Sequence, residues 1–86
     1  MLIGRVINNM WCTKKDDTLV GLKFLIVRLL DHETEKEGNF IVAVDLIGAG
    51  IGERVLITQG SSARRLGGLG NSPVDSTIVG IIDENV

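Results

Sequence analysis

Between Asp45 and Arg65 the chain reads D-L-I-G-A-G-I-G-E-R-V-L-I-T-Q-G-S-S-A-R-R, and most residues whose types and spacing could do chemistry fall inside it. Gly48, Gly50 and Gly52 stand at every second position, with Glu53 directly after. Glycine at that density costs conformational entropy and offers nothing to pack, so bare backbone must be needed there. The need is an unusual dihedral, or close approach by a ligand or another backbone. A phosphate cradle is the first chemistry to weigh. The dinucleotide fingerprint, however, requires glycine where Glu53 stands and then a helix whose N-terminus receives the pyrophosphate. The segment that follows, V-L-I-T, has the pattern of a strand, and a glutamate repels phosphate. No Walker A loop is present.

The second grouping, Gly60-Ser61-Ser62-Ala63-Arg64-Arg65, combines a glycine turn, two hydroxyls and two guanidinium groups. It has the ingredients of an anion nest at a helix start. The simpler reading is a capped helical turn, with Ser61 or Ser62 as N-cap, whose arginines pair with carboxylates of this or a neighbouring subunit. Asp45 lies in an apolar run, V-A-V-D-L-I, where an unpaired carboxylate is costly to bury. As a general base it would lack partners, since no triad or nucleophile elbow surrounds it. The residues therefore read it as ion-paired or facing a subunit boundary, with Arg64 or Arg65 as its cation. Cys12, beside Trp11, is expected to be a buried strand residue, and as the single cysteine it excludes an intrachain disulfide. His32, Glu33, Glu35 and Glu37 lie in a charged loop without the spacing of a calcium site. No catalytic, cofactor or metal site is expected.

Composition narrows the classes further. Eighty-six residues make one small domain, yet 44% are hydrophobic and mean hydropathy is +0.28. That apolar surplus is more than a lone domain of this size hides comfortably, and it points to surface buried between subunits. Net charge is −2 and the pI is near 5.2, with the basic residues scattered, so there is no electrostatic footprint for nucleic acid. Trp11, Phe24 and Phe40 are the only aromatics, too few for a base-stacking platform. With no signal peptide and no apolar run near membrane-spanning length in the sequence, the chain is expected to be soluble and cytoplasmic, without a membrane partner.

Short apolar runs separated by turn residues predict strands. The expected strands cover Leu2 to Thr13, Leu22 to Leu30, Phe40 to Ile47, Glu53 to Thr58 and Ser76 to Ile82. The third is β-branched and nearly continuous, which predicts burial on both faces. One short helical turn is expected within Gly60 to Leu69, between a serine cap and the glycines Gly67-Gly68. Five strands with one helical turn between the fourth and fifth predict an all-β, five-stranded OB-like barrel, although the usual OB helix lies between the third and fourth strands. As a lone barrel it would be a binding module for single-stranded nucleic acid or a small ligand; low aromatic content and acidic pI count against nucleic acid.

Several stretches then match one family in the right order. The opening L-x-G-x-V falls within Met1 to Val6, K-D-D-T-L-V-G-L spans Lys15 to Leu22, and V-A-V-D-L-I-G-A-G-I-G-E-R-V-L spans Val42 to Leu56. G-S-S-A-R occupies Gly60 to Arg64, and P-V-D-S-T-I-V-G-I-I-D occupies Pro73 to Asp83. On these motifs the chain resembles the bacterial microcompartment vertex proteins of the carboxysome and ethanolamine-utilisation type (CcmL/EutN family). The resemblance implies a single vertex domain over residues 1–86, assembling as a cyclic homopentamer that plugs the vertices of a polyhedral shell beside hexameric shell proteins. It implies a structural protein and not an enzyme. Interface or pore candidates are then Asp45, Gly48, Ala49, Gly50, Ile51, Gly52, Glu53, Ser61, Ser62, Arg64 and Arg65, with the glycines giving clearance to neighbouring backbone. Five chains at −2 would carry about −10. Asn8 to Cys12 departs from the family pattern, which makes Trp11 an interface candidate specific to a shell type, and the resemblance fades over Asp31 to Asn39.

Overall fold

The structure, a computed structural model, describes residues 1–31 and 37–83. Its strands are β1 (Leu2–Met10), β2 (Phe24–Leu30), β3 (Glu37–Asp45), β4 (Arg54–Gln59) and β5 (Ser76–Ile81). A short helix α1 (Ser61–Arg65), continued by a 3₁₀ turn at Leu66–Gly68, bridges β4 and β5, and another 3₁₀ turn spans Asp17–Leu19 between β1 and β2. The strands close into a barrel in the order β1-β2-β3-β5-β4. All pairings are antiparallel except β3 with β5, which is parallel and joins Val44 to Thr77 and Asp45 to Ile78. The expected five-stranded barrel, with its helical turn between the fourth and fifth strands, is the observed architecture.

Period-two alternation decides which side chains fill the barrel. Leu25 and Val27 of β2, Val55 and Ile57 of β4, and Ile78 of β5 meet Val6, Ala43 and Ala49 in one buried cluster. At Gly4, β1 packs tightly against β2. A Cβ there would overlap Val27 Cγ1 and stand 3.0 Å from the Arg28 carbonyl oxygen. Glycine at this position thus serves close strand approach.

Several local expectations are corrected. β1 ends at Met10, because its pairing with β2 stops at Met10 opposite Phe24. Cys12 is consequently exposed, not buried, and Trp11 is 87% exposed. β3 is not buried on both faces along its length: Phe40 and Val42 on the outer wall are 53% and 41% exposed, with the Arg28 guanidinium 3.9 Å over the Phe40 ring, whereas Val44 farther along that face is 2% exposed. The cap of α1 is Gly60, at φ 70°, with no side-chain cap bond from Ser61 or Ser62. β3 also begins at Glu37, inside the expected charged loop, and Glu37 lies 3.5 Å from Arg28 Nε. His32, Glu33 and Glu35 lie outside the described residues.

Candidate functional site

The glycine-rich loop does hold an anion, and the anion is its own Asp45. Asp45 ends β3 with its side chain only 1% exposed, aimed beneath the loop that follows. Its Oδ1 accepts the N–H groups of Ile47 and Gly48 at 3.0 Å each, and its Oδ2 accepts that of Ala49 at 2.9 Å. Glu53 Oε1 takes the next one, Gly50 N–H, at 2.6 Å. Four consecutive backbone donors are thus consumed by two carboxylates of the same chain. Such a run of donors is an anion-binding concavity, and here it has no donor left for a phosphate.

The cation facing Asp45 is Lys23, whose Nζ lies 3.3 Å from Oδ2 and also donates to the Ala49 carbonyl at 3.2 Å. Lys23 is fixed there because its own carbonyl accepts Asp45 N–H at 3.0 Å. Burial raises the Asp45 pKa, but the three backbone donors and Lys23 outweigh it and hold the carboxyl below its ordinary value of 3.8. A depressed carboxylate stabilises the fold fully above its unfolded value, and that contribution is lost as pH falls through the folded value. Urea midpoints measured from pH 6 down to pH 2 are therefore expected to fall below about pH 4, and to fall less steeply in Asp45→Asn. Parallel slopes for the two proteins would refute this role.

The three glycines divide by function. Gly48 and Gly52 sit at φ 100° and 89°, a region only glycine enters freely. Gly52 is further held by donating to the Val6 carbonyl at 2.8 Å and by accepting Arg5 Nη1 at 2.7 Å. At Gly50 a Cβ would lie 3.2 Å from Glu53 Oε1 and crowd the clamp. Ala49 points inward and is 2% exposed, whereas Ile51 at the tip is 61% exposed. The loop's geometry is therefore explained from within one chain, with Ile51 presented outward.

The arginines do not meet Asp45. Arg64 Nη1 donates to the Val74 carbonyl at 3.0 Å, tying α1 to the segment that enters β5. Arg65, Ser61 and Ser62 are exposed, and buried Thr77 secures α1 by donating from Oγ1 to the Ala63 carbonyl at 2.9 Å. Among the described residues no group of three His, Cys, Asp or Glu side chains converges as a metal site, and no helix is long and apolar enough to cross a membrane.

With this geometry in place, comparison with known proteins is decisive. A family model described as ethanolamine utilisation protein EutN/carboxysome matches residues 1–83. The chain belongs to this family. The carboxysome shell vertex protein CcmL of Gloeobacter violaceus is 41% identical over 83 residues, covering 96% of this chain and 83% of CcmL. The bacterial microcompartment shell vertex protein EutN of Escherichia coli is 41% identical over 86 residues, covering 100% of this chain and 90% of EutN. The solved structure of GrpN, described as a pentameric microcompartment shell protein from Rhodospirillum rubrum, superposes with a TM-score of 0.86 at 40% identity, covering 96% of this chain and 94% of GrpN. Family membership makes this chain a structural component of the shell vertex class.

Seen as a member of that family, the barrel carries features that motif reading missed. Lys23 was one, and a lone lysine opening an apolar strand was its only signal. An apolar groove of about 410 Å³, lined by Leu46, Ile47, Leu66, Gly67, Ile78 and Val79, was another. It joins the end of β3, the turn after α1 and β5, segments far apart in sequence, so no local pattern announces it.

Proposed function

We propose that five copies of this chain form a ring that closes a vertex of a bacterial microcompartment shell in the cytoplasm, beside hexameric shell proteins, with no catalysis of its own. The observation that carries this reading is the whole-length similarity to a shell protein described as pentameric, at TM-score 0.86. The exposed apolar residues fit it. Phe40, Val42, Ile47, Ile51 and Leu66 are each more than a third exposed on a single chain, and a ring gives each protomer two neighbours to cover them. Asp45 and Glu53, the carboxylates in the glycine segment, are engaged in holding backbone, which leaves them structural work. A lone barrel that binds single-stranded nucleic acid or a small ligand is the weaker reading, because the phosphate-like nest is already filled.

Native mass spectrometry tests the proposal directly. A dominant species of five chains is expected at micromolar concentration. A stable monomer under the same conditions would overturn it, and a salt-sensitive shift with single-stranded DNA would favour the binding module instead.

A further inference from the structure

We propose that the open end of the β1–β2 pair is a binding site for a phosphate ester of a flat ring compound, with Trp11 stacked on the ring and Lys15 and Lys23 holding the phosphate. The site lies outside the glycine-rich loop and does not depend on assembly into a ring of five.

Pairing of β1 with β2 stops at Met10 opposite Phe24, and a cavity of about 440 Å³ opens there between the strand ends and their connection. Ligand cavities are typically about 300–1,000 Å³, with apolar walls and a few well-placed polar groups. Met10, Trp11, Leu22 and Phe24 supply the apolar wall. Met10, Leu22 and Phe24 are half-buried, whereas Trp11 is 87% exposed, so its indole keeps a face open to a flat ring.

The charged residues lining the cavity are Lys15 and Lys23, and among the described residues no acidic side chain joins them. Lys15 Nζ donates to the Cys12 carbonyl at 2.8 Å and meets no carboxylate within ion-pair distance among the described residues. Lys23 Nζ commits two of its three N–H groups, to Asp45 and the Ala49 carbonyl, and its side chain is 51% exposed. Asp45 matches the Lys23 charge, so Lys15 brings the net positive charge and Lys23 a further donor. Ammonium groups bind phosphate as point charges, whereas a planar carboxylate is better matched by a guanidinium fork, and no arginine lines this cavity. The connection is also fixed beforehand. Asp16 caps the 3₁₀ turn by accepting Thr18 N–H at 2.9 Å, and its carbonyl accepts Leu19 N–H at 2.9 Å. The chain is thereby pinned directly after Lys15, which lowers the ordering cost of binding.

The single tryptophan and the single cysteine both line the cavity, so each reports on this site alone. Phenyl phosphate is titrated into the native protein, with Trp11 emission and the rate of Cys12 alkylation by iodoacetamide as readouts. Half-maximal quenching is expected near about 1 mM. At about three times that concentration alkylation should slow by about fourfold, the factor 1 + [L]/Kd expected when bound ligand covers the thiol. Inorganic phosphate, which lacks the ring, and benzyl alcohol, which lacks the anion, should each bind at least about tenfold more weakly. Lys15→Gln should weaken phenyl phosphate by about fivefold, whereas Lys14→Gln, outside the cavity, should leave it unchanged. Both lysines are exposed, so neither change should move the melting temperature. No quenching below about 20 mM overturns the inference, as does equal weakening by the two lysine variants or equal binding of inorganic phosphate. If Cys12 resists iodoacetamide before any ligand is added, a neighbouring copy closes the cavity; that result overturns the inference and leaves the vertex reading standing. A stable monomer in native mass spectrometry sinks the vertex reading alone.

Discussion

Replacing Asp45 with alanine is expected to cost about 2–3 kcal/mol of stability, because one buried carboxylate satisfies three backbone donors and faces Lys23. Ala49 carries the largest share of the loss. It is 2% exposed, so its freed N–H has no ready access to water. Ile47 and Gly48 are exposed and can hydrate. Lys23 moderates the effect: its side chain is 51% exposed, so its charge is not stranded in the interior, and the penalty stays below that of a broken fully buried pair. For a domain of this size the melting temperature should fall by roughly 10–20 °C, read by circular dichroism. Asp45→Asn should lie between, since one oxygen can still accept from Ile47 and Gly48 while its amide opposes Ala49 N–H. A loss in Asp45→Ala under about 0.5 kcal/mol would show that the loop holds its shape without the carboxylate. Assembly should weaken as well, because the same bonds set the direction of Ile51.

The second large effect is expected at Gly4. Gly4→Ala places a methyl group into Val27 Cγ1 and 3.0 Å from the Arg28 carbonyl, so both a core side chain and the β2 backbone must give way. Overpacking of this kind costs about 3 kcal/mol when backbone is one of the obstacles. Val27 is fully buried, so its side chain has little room to retreat. The decisive measurement is a double-mutant cycle in urea. Val27→Ala alone should destabilise by leaving a cavity, yet Gly4→Ala combined with Val27→Ala should be more stable than the two separate losses predict, with about 1 kcal/mol or more of coupling. Strict additivity would show that the clash with Val27 is not the reason for glycine.

Local chemistry was legible where the determinant was local. The strand patterns placed all five strands, and Gly60 with Gly67-Gly68 bracketed the helical turn. Errors arose where a neighbour from another strand decides the outcome. Apolar side chains on β3 suggested two buried faces, but Phe40 and Val42 face outward because closure leaves one interior. Cys12 looked like a strand residue, but β2 supplies no partner past Phe24. Gly48 and Gly52, expected to give clearance to another chain, stand at positive φ, which requires glycine whether or not a neighbour approaches. Asp45 needed a cation, as burial demands, but Arg64 and Arg65 were nearer candidates on paper than Lys23.

By itself, the sequence determined that this is a small all-β chain with more apolar surface than one barrel hides, without a nucleotide fingerprint, and similar along its length to shell vertex proteins. Those properties follow from composition, period-two patterning and ordered motifs, which need no knowledge of what lies across the barrel. Only the tertiary structure decided what the glycine segment is for. Parallel pairing of β3 with β5 and the seating of Lys23 bring Asp45 beneath the loop. Its buried carboxylate then fills the backbone nest that a phosphate would otherwise fit. The bonds that exchange an external anion for an internal one reach only two to four residues, while strand pairing adds the Lys23 cation, and together they convert an apparent ligand site into a rigid support for Ile51.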